Sequence, residues 1–331
     1  MAQTAQRPAP GPLRPSAVTG RRLVAPSFFF NGHTPRRRVL VISVSALIGF
    51  VLTVVWSAEF VDRAIGDTVA NGLLGHEAKG TPIAGALAGV AFALATGIAG
   101  TFTACNIAVF SALAPLTGGG SVTRRGRMSA AVRPLGHLAA GAVVVSALYG
   151  VLVALAGTGM PQFDDGRSGG LSGRLVQAMV VYGMIGLTMT YLGLAAAGVV
   201  RDPLAKVSRR YPQAPMLFMG VLIGAFLIGR PFPLFRQLFR DAAESHNVLY
   251  GAAAFSLQSI GNIVVMAVLF LAVTGVLGDP LHRWMTRRPS RASALMAGAF
   301  ITAGVFMILY WDLRILARRD LIWYPLAPWA A

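Results

Sequence analysis

The stretch "GIAGTFTACNIAVFSALAPLTGGG", Gly97 to Gly120, interrupts a long apolar run with threonines, an asparagine and the chain's single cysteine, Cys105. A backbone that leaves the helical conformation in hydrocarbon exposes N–H and C=O groups that only protein or a water-filled cavity can satisfy. The stretch therefore indicates either a site in the interior of a membrane protein or a kink that lets helices pack closely through glycine and threonine.

The composition around this stretch is that of an integral membrane protein. Of the 331 residues, 55% are hydrophobic and only 12% are charged, and the mean hydropathy is +0.63. An apolar run of about 20 residues is long enough to cross a bilayer. We expect an all-α protein with about seven such spans, at roughly 39–57, 81–116, 135–157, 176–200, 215–239, 252–278 and 292–316.

The basic residues are concentrated in alternate segments between these spans. Four segments hold 19 of the 29 basic residues and two acids: 1–38, 117–134, 201–214 and 279–291. The alternate loops 58–80 and 158–175 hold six acids and four basic residues. The positive-inside rule then predicts a multi-pass protein with a cytoplasmic N-terminus. Because topology explains the net charge of +17, the expected partner is the lipid bilayer, and no nucleic-acid partner is expected.

The spans divide the chain into five parts. Residues 1–38 are a disordered basic cytoplasmic tail, and 39–57 form the first transmembrane helix. The remaining spans form two sets of three, 81–200 and 215–316, before a C-terminal tail at 317–331. Because each set holds an odd number of spans, the second set is inverted relative to the first.

The leading spans of the two sets share a pattern. "GTFTACNIAVFSAL" (Gly100–Leu113) and "FLIGRPFPLFRQLF" (Phe226–Phe239) both begin as Gly-rich apolar helix, are interrupted, and resume with Phe and Leu. One gapless alignment pairs Cys105 with Arg230, whereas a shift of two pairs it with Phe232. The sequence alone does not choose between these registers.

These residues resemble the CcdA family of cytochrome c biogenesis and the related membrane domain of DsbD. That family has two inverted three-helix repeats, each opening with a Gly-rich helix broken near a Gly-Phe/Trp-x-Pro-Cys-x-x-Pro motif. Here "GTFTACNIA" and "GRPFPLF" occupy the places of the two motifs, and the resemblance covers about 81–316. It implies a protein of a bacterial plasma (inner) membrane with a function in thiol-redox transfer or in the maturation of cytochrome c or another cofactor protein.

The cysteines depart from the family pattern. The family uses one cysteine per repeat as a redox pair, but here Cys105 is the only cysteine, Ala104 precedes it in place of proline, and the second position holds Phe232 or Arg230. A dithiol–disulfide cycle within this chain is therefore chemically impossible. The resemblance then implies action through a partner, such as a thioredoxin-like or cytochrome-maturation protein.

Six residues are candidates for the site. Cys105 is the candidate catalytic thiol, and Arg230, taken as the only cation inside a span, would favour its thiolate. The candidate binding residues are Thr103, Asn106, Arg230, Gln258 and Asn262. Gln258 and Asn262 are four apart and share a helix face. Each has a structural alternative: an inert buried cysteine, an arginine that snorkels from a span end, or amides that bond between helices.

Two other functions fit the same features. A transporter of a small solute or ion would use a polar site between broken helices near the midplane, and a membrane scaffold would need no chemistry. The sequence holds no catalytic triad, metal-ligand cluster or nucleotide fingerprint, so no cofactor or metal is expected. It does not decide whether the protein is an enzyme.

Overall fold

The chain folds into a bundle of α-helices. The computed structural model describes residues 33–57, 67–78, 83, 85–99, 124–164, 171–229, 233–288 and 290–329, and these contain no β-strand. The helices are α1 Arg38–Val55, α2 Thr68–Leu74, α3 Gly85–Ala99, α4 Arg124–Ala156, α5 Gly173–Ala196, α6 Ala205–Arg210, α7 Ala214–Gly229, α8 Pro233–Ser245, α9 Val248–Thr286, α10 Ser290–Ile308 and α11 Arg314–Ala317. Two 3-10 helices, Gly157–Gly159 and Pro161–Phe163, follow α4, and a π-helix, Leu309–Leu313, joins α10 to α11.

Several of these helices can cross a bilayer. In the described part of the chain, five stretches are long and apolar enough: Arg38–Val55, Val132–Gly159, Gly173–Ala196, Val248–Leu277 and Ser290–Ala317. The pair α7 and α8 makes a sixth candidate if it counts as one span bent by 84°. The all-α, multi-pass class predicted from sequence is confirmed. The predicted number of seven spans is not established, because α3 is the only helix of the predicted span 81–116 within the described residues.

The long helices α4 and α9 lie at the centre of the bundle and run antiparallel. A Cβ added at Gly150 of α4 would overlap the carbonyl oxygen of Gly251 in α9. Farther along the pair, the hydroxyls of Ser146 and Ser259 are 2.5 Å apart. Association of helices in a bilayer depends on close packing, so small residues at the contact bring the two backbones together.

Two shorter helices lie along this central pair. α3 runs parallel to α9, with Gly97 against the backbone of Gln258, and α7 runs parallel to α4, with Gly220 against the backbone of Leu138. A Cβ at Gly224, one turn farther along α7, would lie 2.7 Å from the carbonyl oxygen of Ala142. Each shorter helix therefore packs through glycine onto one of the two central helices.

The outer helices α1, α5 and α10 form a second layer. α5 and α10 are antiparallel, because Gly193 lies against Ala297 whereas Gly186 lies against Gly304. α1 is parallel to α10, and the hydroxyl of Thr302 donates to the carbonyl of Ser45 at 3.1 Å.

The helix directions gather the basic segments at one end of the bundle. The Arg38 guanidinium, at the start of α1, donates to the carbonyl of Gly198 just after α5, at 3.1 Å. The starts of α4, α7 and α10 lie at this same end, and so does the end of α9. Exposed Arg209 and Arg210 lie between α5 and α7. The positive-inside rule predicts membrane topology from a charge asymmetry of this kind.

α8 closes the opposite end of the central pair. Its apolar residues recur at helical spacing on one face and are each at most 1% exposed: Leu234, Phe235, Leu238, Phe239, Ala242 and Ala243. The ring of Phe239 packs edge-on against Tyr149 of α4 at 5.3 Å and Phe255 of α9 at 4.8 Å. The burial of this face accounts for the direction of α8, which leaves the line of α7 by 84°.

The C-terminal segment caps α1. The last carbonyls of a helix have no partners within it and need donors from elsewhere. Arg314 donates to the carbonyls of Thr53 and Trp56 at 2.8 and 2.7 Å. The intervening carbonyls of Val54 and Val55 accept from the backbone N–H of Ala327 and the indole of Trp329, both at 3.1 Å. This segment thus fixes the end of α1 against α10.

Candidate functional site

The predicted site residues divide into two groups. Cys105, Asn106, Thr103 and Arg230 lie outside the described residues. Gln258 and Asn262 lie within α9 and are 0% and 2% exposed. Of the six predicted positions, these two can be placed, and both are inside the protein rather than against lipid.

Gln258 is the unusual member of this pair. Among the residues that the structure describes, neither its amide nitrogen nor its amide oxygen has a hydrogen-bond partner, although both atoms are buried. α9 is held in place from its start, because the Asn247 side chain caps it by accepting from the N–H groups of Leu249 and Tyr250 at 3.0 and 3.1 Å. A rigid helix thus places an amide with full hydrogen-bonding capacity in the interior.

The backbone of α3 closes one side of Gln258. A Cβ at Gly97 would overlap the Gln258 carbonyl, and a Cβ at Gly261 would lie 2.6 Å from the carbonyl of Leu94. α3 ends at Ala99, six residues before Cys105 in the sequence. The segment of α3 that packs on Gln258 is thus the last described part of the chain before the motif that opens the first predicted repeat.

Hydroxyl groups continue from Gln258 toward the end of the bundle that α8 closes. Ser259, the next residue of α9, bonds to Ser146 of α4, and both are 0% exposed. One helical turn beyond Ser146 comes Tyr149, which is 5% exposed. A line of buried polar groups thus follows the contact between α4 and α9.

This line ends at the last turn of α7. The carbonyl of Ile228 accepts hydrogen bonds from the amides of Gln162 and Gln177, each at 2.7 Å. The same two amides also donate to the hydroxyl of Tyr149, at 3.4 and 3.0 Å. The amide oxygen of Gln177 is buried and has no partner. Side chains from three different segments therefore satisfy the end of α7 before the 84° bend.

A second carbonyl of α7 is satisfied in the same way. The hydroxyl of Tyr182 donates to the carbonyl of Phe226 at 2.9 Å. The Tyr182 ring stacks on Trp311 of the π-helix, with centroids 4.4 Å apart. A π-helical turn inside an α-helical span is often associated with a functional position, but here its aromatic residue serves to fix the tyrosine that caps α7.

The structure corrects one sequence expectation. Arg230 was taken as the only basic residue inside a span, and that expectation is wrong: Arg314 lies in the candidate span Ser290–Ala317 and is 1% exposed. The arginine is tolerated because its guanidinium donates to carbonyls of α1 and lies 4.9 Å from the ring centre of Tyr310. Position near a predicted span end did not distinguish this buried arginine from an exposed one.

Sequence reasoning also missed residues of the polar line. Tyr149, Gln162, Gln177 and the Ser146–Ser259 pair were not among the candidates. A signal was present for Gln177, because a glutamine inside an apolar span needs a partner or a polar environment. No local pattern marks Gln162, because it reaches the interior from a 3-10 helix in a connecting segment.

The comparisons with known proteins give no family. No family model matches the chain, and no curated protein or solved structure matches it. Within the described ranges, no group of three or more His, Cys, Asp or Glu residues is arranged to hold a metal ion. The chemistry of the site is therefore argued from its own residues.

Proposed function

We propose that this protein provides a path through the membrane for a small polar solute, with Gln258 at its centre. The observation that carries the proposal is the buried amide of Gln258, whose nitrogen and oxygen lack partners. Leaving a buried polar group unpaired costs about 1–3 kcal/mol in protein mutational data. A passing solute or water molecule that bonds to the amide removes this cost, whereas an amide serving only as packing does not.

The depth of Gln258 supports a transport site. Gln258 lies ten positions after Val248, where α9 begins, which is a rise of about 15 Å at about 1.5 Å per residue. This is about half of the 30 Å hydrocarbon thickness of a typical bilayer. Transporters bind their substrates near the midplane, where the helices of two repeats meet.

The helix arrangement also supports the two inverted repeats. α3, α4 and α5 form the first repeat, and α7 with α8, α9 and α10 form the second. The first helix of each repeat lies parallel to the second helix of the other, and the pairs α4–α9 and α5–α10 are antiparallel. A two-fold axis in the membrane plane relates elements in this way. With α1 and both leading helices counted as spans, the total is seven.

A bacterial plasma membrane with a cytoplasmic N-terminus is part of the proposal. The orientation is supported by the basic segments gathered at one end of the bundle, and the bacterial membrane is what the family resemblance implies. A reporter fused at Gly119 is expected to be cytoplasmic, and one fused at Gly169 external. The reverse result would contradict the orientation and would place the α8 end of the bundle in the cytoplasm.

The path is tested by solute entry into proteoliposomes. The purified protein should accelerate swelling in at least one member of a panel of neutral and ionic solutes. Gln258→Met should abolish this entry, because methionine has similar size but no hydrogen-bonding amide. Thr274→Val is the matched control, since the buried Thr274 hydroxyl bonds within α9 to the Phe270 carbonyl at 2.7 Å. Equal entry with wild type and Gln258→Met would refute the proposal.

A second proposal keeps the thiol-redox function that the family resemblance implies. Its support is the sequence "GTFTACNIA", which begins next to the segment of α3 that packs on Gln258. Cys105 would form a mixed disulfide with a thioredoxin-like or cytochrome-maturation partner. In that case Cys105→Ser should abolish partner maturation at unchanged protein abundance. Maturation at the wild-type level in the Cys105→Ser variant would contradict the proposed redox function.

A further inference from the structure

Two glutamines of the polar line retain unused hydrogen-bonding capacity. The amide nitrogen of Gln177 donates to the Ile228 carbonyl and to the Tyr149 hydroxyl. Its amide oxygen has no hydrogen-bond partner among the described residues. Gln258 uses neither side of its amide. Anything bound between these positions must donate a hydrogen bond at Gln177, and it can donate and accept at Gln258.

Three buried hydroxyls lie along the α4–α9 contact near the two amides. Gln177 donates to the Tyr149 hydroxyl, and Tyr149 lies one turn from Ser146 on α4. Ser146 bonds to Ser259, which follows Gln258 in the sequence of α9. A solute that moves between the two amides would find hydroxyl partners along this contact.

The side chains of this series carry no formal charge. In the described part of the chain, Arg314 is the one charged residue that is fully buried, and it bonds to α1, away from the α4–α9 contact. An ion that enters an interior lined by neutral groups loses hydration that those groups replace poorly. A neutral solute exchanges hydrogen bonds with water for equivalent bonds with amides and hydroxyls.

We propose that the path selects small uncharged solutes that donate hydrogen bonds, and that Gln177 and Gln258 form its two binding sites. This inference rests on the proposed path and names the class of its substrate. Urea is a suitable probe because it carries two NH₂ donors and one carbonyl acceptor. The Gln177 oxygen and the Gln258 amide offer the complementary groups.

The experiment compares the entry of a neutral solute with the entry of ions in the same proteoliposomes. Urea entry is measured by stopped-flow light scattering, and Na⁺, K⁺ and Cl⁻ entry by a potential-sensitive dye. We expect protein-dependent urea entry without ion entry. Gln177→Met should lower urea entry about fivefold, the factor that corresponds to one hydrogen bond of typical net strength. Gln213→Met is the matched control, because Gln213 is exposed and should not alter urea entry.

The outcomes separate this inference from the path itself. Protein-dependent ion entry that Gln258→Met blocks would contradict the selectivity for uncharged solutes but would agree with the proposed path. Absence of entry for urea and for all the ions would overturn both. If Gln177→Met protein is not monodisperse, Gln177→Lys tests the same binding site, because an ammonium keeps N–H donors for Ile228 and Tyr149 but offers no acceptor to the solute. Wild-type urea entry with Gln177→Lys would remove Gln177 as a binding site.

Discussion

Arg314 and Gln258 are both polar, both almost completely buried and both within helices long enough to span a membrane, but their environments differ. Arg314 donates to two carbonyls at the end of α1 and lies over the ring of Tyr310. Within the described part of the chain, Gln258 has no hydrogen-bond partner for its amide nitrogen or oxygen. The residue that is more costly to bury has the more complete set of partners.

The difference separates a structural polar residue from a functional one. Charged side chains in a membrane are tolerated where carbonyls or other polar groups compensate them, and Arg314 meets this condition by joining α1 to α10 and α11. The Gln258 amide forms no hydrogen bond within the described structure that would offset its burial. Burial of a polar residue in a span is thus poor evidence of function until its hydrogen bonds have been accounted for.

The largest expected effect is that of Arg314→Met. Loss of the guanidinium leaves the carbonyls of Thr53 and Trp56 without their donor, at about 1–3 kcal/mol for each carbonyl that stays buried. Thermal unfolding in detergent, followed by loss of monodisperse protein, should move to markedly lower temperature. Arg318→Met is the control, because Arg318 is exposed and lies one turn farther on. Equal melting of the two variants would contradict the structural role of Arg314.

The contact between α4 and α9 should be the next most sensitive. In Gly150→Ala, the new methyl group would overlap the Gly251 carbonyl, and the helices must separate at a cost of about 1–3 kcal/mol. Gly136→Ala on the same helix meets no atom within 4 Å and should be neutral or stabilising. Both variants are compared by thermal unfolding, and a Gly150→Ala protein as stable as Gly136→Ala would contradict the close approach.

The comparison also shows what the sequence could predict. Apolar runs predicted the all-α, multi-pass class, because the hydrocarbon thickness sets helix length. The spacing of Gln258 and Asn262 predicted a shared buried face. It did not predict that Gln258 lacks partners, because that depends on which atoms of α3, α4 and α8 come close in space.

Burial of arginine was predicted least well. Arg314 lies near the end of a predicted span, where arginines commonly reach toward water. Its burial depends on the C-terminal segment, which folds back so that Ala327 and Trp329 bond to α1. Such a contact joins residues more than 250 positions apart, and no local pattern indicates it.

A smaller effect is expected at the same cap for Tyr324→Phe. The Tyr324 hydroxyl bonds to the Thr53 hydroxyl, and its loss should lower stability by about 1 kcal/mol, the net value of a typical hydrogen bond. Tyr211→Phe removes a hydroxyl from an exposed tyrosine and should leave the melting temperature unchanged. A larger loss for Tyr211→Phe than for Tyr324→Phe would contradict the docking of the C-terminal segment.

Gln258→Met should have the smallest effect on stability. Removing an amide that has no partners loses no hydrogen bond, so the melting temperature should stay unchanged or rise. This result is opposite in sign to that for Arg314→Met, and the two variants are measured together in the same detergent. A clear decrease for Gln258→Met would show that its amide secures the fold, and the contrast between the two residues would be lost.

The most direct test of the central claim is whether water reaches Gln258 in the membrane. The single cysteine, Cys105, allows a cysteine-free background by Cys105→Ser. In this background Gln258→Cys is treated with a small, uncharged, water-soluble methanethiosulfonate reagent, which reacts with hydrated thiolates and which a path for neutral solutes admits. Met266→Cys in the apolar part of α9 is the control. We predict that the Gln258→Cys protein is labelled and the Met266→Cys protein is not. Equal protection of both thiols would contradict a hydrated path at Gln258.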